Sequence, residues 1–263
     1  MKKILILLNI CILLTSCKKE KKFENGRIYP SPPSADFKLS WFEDFDSTAL
    51  DLTKWDYRAN GLRRQGWNSA KSIIIDTVSK NLIIRNVIKN DTAFTGMIGT
   101  QGKFAQKYGF FECRAKIPPI IQGYWPAFWI HSATFGKTLN PVESGTEMDI
   151  MEFTQGMTDR VNHAIHWNGY GPNLQSKSWE TISSSLADGG FHTYALEWTP
   201  TVIKYYIDGR IAWEIYEPIS GVAQYVILSC EIGDKKLFQR TFGNDNVDFI
   251  VDYIKVYEWI GNK

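Results

Sequence analysis

From Phe37 onward the chain consists of short runs of β-branched and aromatic residues, interrupted by Gly, Asn and Asp. No long segment in this stretch shows a convincing 3.6-residue hydrophobic period, which an amphipathic helix requires. This pattern predicts an all-β fold, and nine or more strands at this length favour two stacked sheets, as in a sandwich or jelly roll. The clearest predicted strands are residues 82–88, 108–117, 125–130, 147–153, 161–167, 191–198, 202–215 (with a tight turn at Asp208-Gly209), 225–232 and 249–259.

Composition supports a folded domain without a nucleic-acid partner. The 10 Trp, 12 Tyr and 15 Phe make up 14% of 263 residues, far more aromatic surface than a disordered chain carries. Residues 1–16 contain Lys2, Lys3 and no acid, so their removal leaves 28 basic and 28 acidic side chains. A balanced charge argues against binding to phosphate backbones. We find no second domain boundary, and residues 37–263 are predicted to form a single folded domain.

The first residues are predicted to be a targeting signal. Lys2 and Lys3 precede an apolar run of eleven residues, Ile4 to Leu14, which is too short to span a bilayer but has the length of a signal-peptide core. The sequence Leu14-Thr15-Ser16-Cys17 resembles a bacterial lipobox, so residues 1–16 are predicted to be a lipoprotein signal peptide and Cys17 the lipidated residue. An ordinary secretory signal that happens to contain a Cys is the alternative.

The residues after Cys17 are predicted to form a tether. Residues 17–36 are polar, and Pro30, Pro32 and Pro33 lie within them. The domain is therefore expected outside the cytoplasm, attached through its lipid to a bacterial membrane, which we expect to be the outer membrane. Both a periplasmic and a cell-surface orientation are compatible with such an anchor. We expect it to be a monomer.

Two cysteines remain in the predicted domain, Cys113 and Cys230. Each lies in an apolar, strand-like run, where buried free thiols are more common than a disulfide. Two core thiols are therefore predicted.

The segment from Glu147 to Glu152 places three carboxylates inside a predicted strand. Side chains alternate along a strand, so Glu147 and Asp149 share one face, whereas Glu152 is out of phase with them. A regular strand would bury the Glu152 charge among apolar groups, at a cost of about several kcal/mol. We therefore predict a β-bulge near Ile150 and Met151, which returns Glu152 to the face of Glu147.

Three acids on one face suit the chemistry of a retaining glycosidase. Such enzymes hold one carboxylate as nucleophile and a second carboxyl as proton donor, about 5 to 5.5 Å apart. The intervening Asp149 can hydrogen-bond the nucleophile and helps to separate the pKa values of its neighbours. The alternative is an acidic stripe that faces solvent or a cation.

Aromatic residues favour a sugar ligand. Trp125 and Trp129 are an even number of residues apart, so both face one side of a strand and offer flat platforms for pyranose rings, although buried Trp is usually plain core. His163 and His166 are an odd number apart, so at most one of them lines the cleft. Because no further ligands with suitable spacing are nearby, a zinc site is not predicted.

With these features in place, the chain resembles glycoside hydrolase family 16, the laminarinase, lichenase and agarase group of retaining endo-β-glycanases. Residues 147–152 match the E-x-D-x-x-E strand of that family. Further similarity covers nearly the whole predicted domain, in the segments 41–45, 50–55, 108–118, 123–129, 191–198, 207–209 and 251–257.

The resemblance implies a jelly-roll sandwich of two antiparallel sheets with a concave cleft, and internal cleavage of a polysaccharide by double displacement. It makes Glu147 the nucleophile, Asp149 its assisting acid and Glu152 the general acid/base. Trp125, Trp129 and His166 would bind substrate. No cofactor is required, although some members carry a structural calcium ion, for which Asp252 would be the candidate ligand.

The substrate is expected to be a β-1,3- or mixed β-1,3/1,4-glucan, but one segment differs from the pattern of laminarinases. Residues 63–71 lack an expected Glu and contain the basic pair Arg63 and Arg64. Either Arg can bind an anionic group, so a sulfated or acidic galactan or a host glycan is an alternative, as is a simple solvated loop. Arg64 and Asn68 are predicted to contact substrate.

Two other functions compete with hydrolysis. A glycan-binding lipoprotein without activity would bind polysaccharide and release no oligosaccharides. A transglycosylase would use the same covalent intermediate but transfer it to a sugar acceptor; the additional residue in 147–152 favours the bulged hydrolase branch.

Overall fold

A computed structural model describes residues 34–120, 122–154, 156 and 158–261. The predicted signal peptide, the lipidation site Cys17 and all but residues 34–36 of the tether lie outside the described residues. In the part of the chain that is described, no helix is long and apolar enough to cross a bilayer.

The described residues form seventeen strands, two α-helices, and short 3-10 helices at Ala70–Ser72 and Ser184–Ala187. The α-helices are α1 (Pro141–Ser144) and α2 (Lys235–Phe242). The strands are β1 (Phe37–Glu43), β2 (Asp56–Tyr57), β3 (Gly61–Arg63), β4 (Gly66–Asn68), β5 (Ile73–Asp76), β6 (Asn81–Lys89), β7 (Thr92–Gly99), β8 (Gly109–Lys116), β9 (Tyr124–Ser132), β10 (Glu147–Glu152), β11 (Arg160–Trp167), β12 (Gln175–Ile182), β13 (Phe191–Trp198), β14 (Ile203–Ile207), β15 (Arg210–Ile215), β16 (Gln224–Ile232) and β17 (Val247–Trp259).

These strands confirm the predicted all-β jelly-roll sandwich. The cleft sheet runs in the order β12-β11-β10-β9-β16-β7-β2, with every neighbouring pair antiparallel. The outer sheet runs β15-β14-β13-β8-β17, and the long β17 then pairs with β6 through its first half and with β1 through its second. The β6–β7 hairpin links the two sheets, and the short β4 adds a parallel pairing with β7.

The hydrophobic core lies between these two sheets. Its fully buried members come from both layers, among them Phe111 and Val256 of the outer sheet and Phe128 and Leu228 of the cleft sheet. Cys113 and Cys230 are buried free thiols, as predicted. Apolar side chains alternate with polar ones along the strands of the cleft sheet, so its second face is left for polar chemistry.

All of the predicted strand segments contain strands, with the Asp208-Gly209 turn between β14 and β15. The list of clearest predicted strands omits β1 to β5, β7 and β12, and neither α-helix was predicted. The strand β12 carries Gln, Ser, Lys, Ser and Glu, and five of its eight residues in a row are exposed, because it is the edge of the cleft sheet. The helix α2 is only eight residues long, although the side chain of Asp234 caps it by accepting a hydrogen bond from the Leu237 amide.

Candidate active site

A cleft of about 600 Å³ lies on the exposed face of the cleft sheet. Strands β9, β10 and β11 supply its centre, β12 and β16 its sides, and the β3–β4 turn one margin. The lining includes the three predicted catalytic acids and four of the five predicted substrate contacts: Glu147, Asp149, Glu152, Trp125, Trp129, His166 and Arg64.

The predicted β-bulge is present in β10. Between Asp149 and Glu152 the strand advances by three residues, whereas β11 advances by two, from Ala164 to Asn162. The pairing with β9 shifts over the same stretch. Consecutive residues Ile150 and Met151 both lie in the hydrophobic core, fully buried. The bulge thus brings Glu152 onto the cleft face with Glu147 and Asp149.

A buried histidine supports the bulge from the core side. The Nδ1 atom of His163 lies 2.8 Å from the carbonyl oxygen of Ile150. Because a carbonyl only accepts, Nδ1 must carry the proton and donate. Burial lowers the pKa of His163 to about 4, so the ring is neutral at neutral pH. His163 and His166 therefore point to opposite faces of β11, as their spacing predicted, and only His166 lines the cleft.

Glu152 lies in an enclosed environment at one end of β10. The indole Nε1 of Trp125 donates to its Oε1 at 2.9 Å, and the Asn162 amide donates to its Oε2 at 2.9 Å. Burial, reinforced by the nearby charge of Asp149, raises the pKa of Glu152 well above its ordinary value, although the bond from Asn162 opposes this. A protonated carboxyl is the form that a general acid needs.

Glu147 lies at the other end of β10 and has different partners. The Tyr170 hydroxyl donates to its Oε2, and Nε2 of His131 lies 3.4 Å from the same oxygen. Burial raises the pKa of Glu147, but the Tyr170 hydrogen bond is the largest opposing influence, followed by His166. Hydrogen bonds to the ionised form favour a carboxylate, which is the form that attacks carbon.

Asp149 lies between the two glutamates and contacts His166. Its Oδ2 lies 3.2 Å from Nε2 of His166, whose Nδ1 lies 2.5 Å from the Ser176 hydroxyl. Complete burial and the charge of Glu147 raise the pKa of Asp149 well above its ordinary value. Among the described residues, Glu147, Asp149 and His166 place ligand atoms within 4.8 Å of one another. The contact between His166 and Asp149 accounts for much of this closeness without an ion.

Trp125 and Trp129 lie on the same side of β9, as predicted, but they are exposed to different degrees. Trp129 is only 9% exposed, and its Nε1 donates to the Ser229 hydroxyl at 3.1 Å. Its ring packs with Met97 and Ile227, so it forms the floor of the cleft more than a free platform. Trp125 is half-buried and has the more accessible ring.

The basic pair at the margin of the cleft is partly exposed to solvent, and both of its members are ion-paired. Both Arg63 and Arg64 form ion pairs with the buried carboxylate of Glu231 on β16. The Arg64 guanidinium also lies over the Trp125 ring, 4.3 Å from its centre. Two guanidiniums against one carboxylate leave a net positive charge beside the half-buried Trp125 indole.

Asn68 was predicted to bind substrate, and the structure contradicts this. The residue lies in β4, pairs with Gly61 and Thr95, and is only 1% exposed. It does not line the cleft. The parallel pairing of β4 with β7 encloses this side chain, and that pairing is a long-range contact that local sequence does not indicate.

Sequence reasoning missed several residues around the acids. Asn162 shares the parity of His166 along β11, so alternation alone would have placed it in the cleft. Tyr170 and Glu231 gave no comparable signal, because a loop and a distant strand bring them to the site.

The candidate calcium ligand has a different partner. Nη1 of Arg114 donates to Oδ2 of Asp252 at 2.6 Å. This ion pair engages Oδ2 of the carboxylate, and a structural calcium ion at Asp252 stays a prediction. No step of the chemistry below depends on a metal.

Comparisons with known proteins agree with this site. The sequence model of Glycosyl hydrolases family 16 matches residues 65–227. A beta-glucanase of Rhodothermus marinus is 27% identical over 255 residues, which cover 85% of this chain and 86% of that protein. A keratan-sulfate endo-1,4-beta-galactosidase of Sphingobacterium multivorum is also 27% identical, over 86% of this chain but 56% of its own length.

The fold matches a solved structure equally well. The crystal structure of a laminarinase from Flavobacterium sp. UMI-01 superimposes with a TM-score of 0.71 and 24% identity, covering 84% of this chain and 100% of that one. A family match over more than half of the chain, joined to an intact E-x-D-x-x-E strand on the cleft face, leads to one conclusion. The chain belongs to glycosyl hydrolase family 16 and is an endo-acting β-glycan hydrolase.

Proposed function

We propose that this enzyme cleaves internal bonds of its glycan with retention of configuration, through a glycosyl-enzyme intermediate. Glu147 attacks the anomeric carbon, Glu152 protonates the leaving oxygen, and Asp149 orients and tunes the pair. The observation that carries the proposal is the bulge in β10, which brings all three acids to one face. Their surroundings divide the roles, because Glu152 favours its protonated form and Glu147 is hydrogen-bonded as a carboxylate.

The preferred substrate class is β-1,3-glucan or mixed β-1,3/1,4-glucan. The beta-glucanase and laminarinase similarities support this class.

The test incubates the enzyme with laminarin, mixed-linkage glucan, agar-type and mucin-type glycans and identifies the products by mass spectrometry. We expect a rapid fall in viscosity and short oligosaccharides from the glucans, and proton NMR of the first products should show the β-anomer before mutarotation. First products of the α-configuration would contradict retention, and added acceptor sugars that become glycosylated would indicate transfer.

A sulfated galactan is the second candidate, because of the net positive charge at Arg63 and Arg64 beside Trp125. The similarity to a keratan-sulfate galactosidase is consistent with it. The test compares each sulfated glycan with its desulfated form, using the wild-type enzyme and Arg64→Gln. If Arg64 binds a sulfate group of the substrate, Arg64→Gln should lose activity on the sulfated glycan only. Equal loss on both members would mean that Arg64 acts through Trp125 and not through an anion.

We also propose that the enzyme is attached to a membrane outside the cytoplasm through lipid on Cys17. The apolar run at residues 4–14 and the lipobox-like Leu14-Thr15-Ser16-Cys17 support this. Cys17→Ser should release the protein from the membrane fraction, and metabolic labelling with a fatty acid should fail in this variant.

A further inference from the structure

An exposed tyrosine reaches the predicted nucleophile. Tyr170 is 66% exposed, yet its hydroxyl lies inside the cleft and donates to Oε2 of Glu147. Burial, followed by the negative charge of Glu147 and the hydrogen bond to it, raises the pKa of Tyr170, so the proton stays on the phenol and the tyrosine remains the donor. The sequence pattern gives this residue no role, because it lies beyond the end of β11 in a loop.

The position of Tyr170 is fixed by its surroundings. Its ring packs against Phe135, with the ring centres 5.0 Å apart, and lies near-parallel to His131 at 6.3 Å. The preceding Gly169 adopts φ +76° and lies directly against Gly136. A Cβ atom added at Gly169 would lie 2.8 Å from the Gly136 Cα, so two glycines allow the loop after β9 and the loop after β11 to meet. This backbone contact holds the phenol over Glu147.

Resting on the proposed retaining mechanism, we propose that Tyr170 is a positioning residue that holds Oε2 of Glu147 and leaves Oε1 to attack the sugar. In the first step, Oε1 forms a bond to the anomeric carbon, the bond to the leaving oxygen breaks, and that oxygen takes the electron pair and the proton of Glu152. In the second step, water attacks the anomeric carbon and gives its proton to Glu152, and the electron pair of the ester bond returns to Glu147. The Tyr170 hydroxyl stabilises the negative charge that re-forms on the Glu147 carboxylate in this step.

Other charged and titratable groups also act on Glu147 and set the background for this effect. His166 and Arg63 favour its ionised form, and Glu231 opposes it. His131 lies beside Oε2, and burial lowers its pKa to about 4, so it is neutral at neutral pH; its Nδ1 contacts the Tyr225 hydroxyl at 3.1 Å, which Arg58 also contacts. Asp149 and Glu152 complete the surroundings on β10. Of these contacts, the Tyr170 hydrogen bond is the largest influence that favours the carboxylate.

The test is Tyr170→Phe, which keeps the ring packing and removes the hydroxyl. Since hydrogen bonds to charged groups are worth about 1.5 to 3 kcal/mol, kcat should fall about tenfold or more. The fall should lie in the second step, so the intermediate accumulates: an aryl β-glycoside should give a burst of phenol, and KM should fall together with kcat. The acid limb of the pH profile of kcat/KM should move to higher pH, because Glu147 loses the donor that favours its ionised form.

Two further variants separate this role from packing. Gly169→Ala should push the loop away from Gly136 and show the same burst and the same shift of the acid limb. Tyr216→Phe is the matched control, because Tyr216 is similarly exposed (67%) and does not line the cleft. It should behave as the wild type does.

The effect of Tyr170 on the pKa of Glu147 can also be measured without any substrate. Titration of the Glu147 side-chain carboxyl by carbon-13 NMR should give a higher pKa in Tyr170→Phe than in the wild type. An unchanged titration, or an unchanged acid limb and no burst, overturns the inference and leaves the proposed hydrolysis intact. Failure of the proposed hydrolysis would show instead as full turnover by Glu147→Gln.

Discussion

The two ends of β10 carry the same residue type in different surroundings. Glu152 is enclosed by the Trp125 indole and the Asn162 amide, and burial together with Asp149 raises its pKa well above the ordinary value. Glu147 is about equally buried, yet an exposed loop delivers a phenol to it, and this hydrogen bond opposes the effect of burial on its pKa. The comparison teaches that the proposed division between acid and nucleophile depends on the neighbours that the fold supplies and not on the identity of the residues.

The largest expected effects come from replacing each glutamate with glutamine. On a glycan, Glu152→Gln should lower kcat about 10²- to 10⁴-fold, and Glu147→Gln should lower it at least as far. An aryl glycoside with an acidic phenol needs no proton donor to leave, so Glu152→Gln should still form the intermediate, and azide should then accept the sugar with retained configuration. Glu147→Gln should show neither behaviour.

Glu180→Gln serves as the control for these two variants, because Glu180 lies outside the cleft in an ion pair with Arg160. It should retain wild-type kinetics. If both active-site variants respond to azide in the same way, then the two ends of β10 do not differ in role, and the assignment of acid and nucleophile fails.

The next effect concerns the support of the bulge, on which only Glu152 depends. His163→Leu leaves the buried Ile150 carbonyl without its donor, which should cost about 1 to 3 kcal/mol in the free energy of unfolding. Glu152 should also lose its alignment, so activity on glycans should fall more than activity on the aryl glycoside. Chemical denaturation and the two rate assays measure this.

Tyr205→Phe is the matched comparison for the bulge variant. The Tyr205 hydroxyl donates to the Ala164 carbonyl of β11 at 2.9 Å, and its ring lies 5.2 Å from His163, so the variant loses a similar buried bond but keeps the donor to the Ile150 carbonyl. Stability should fall in both variants, but only His163→Leu should change the ratio of the two activities. The same ratio in both would remove His163 from the support of Glu152.

The smallest effect is on thermal stability and its dependence on pH. The pKa of Glu152 is higher in the folded state than in the unfolded state. As the pH rises from the ordinary value of 4.5 towards the folded-state pKa, Glu152 therefore ionises in the unfolded chain first, and the free energy of unfolding falls. At neutral pH, Glu152→Gln should therefore melt at a temperature roughly a few degrees higher than the wild type, which is the shift that about 1 kcal/mol of stability produces. At acid pH the two melting temperatures should converge. The gain from Glu147→Gln should be smaller. Calorimetry from about pH 4 to 8 tests this, and an advantage that grows on acidification would reverse the sign of the argument.

Much of the site could be predicted from the alternation of side chains along the strands. Strand alternation placed Glu147 and Asp149 together, and the cost of a buried charge required an irregularity before Glu152, which the register shift of β10 confirms. The same alternation assigned His163 and His166 to opposite faces. These inferences succeeded because the side-chain period of a strand is local and sterically fixed.

Contacts between distant segments could not be predicted in this way. Asn68 seemed well placed for substrate, yet β7 pairs beside it and encloses it. The ion pairs of Arg63 and Arg64 depend on Glu231, more than 160 residues along the chain. The strand β12 has no apolar alternation, because an edge strand with one face in a polar cleft needs little of it.

The sequence by itself determined an all-β chain and three acids that a bulge brings to one face, because these follow from periodicity and from the cost of burying charge. It indicated the family through a different route, the resemblance of residues 147–152 and the surrounding segments to the motifs of that family. The tertiary structure alone decided which acid meets an indole, an amide or a phenol. Those neighbours come from β9, from β11 and from a loop held by two touching glycines, and burial in the assembled sandwich sets how strongly each contact acts on a carboxyl. Protonation state depends on this three-dimensional environment, which no local pattern encodes.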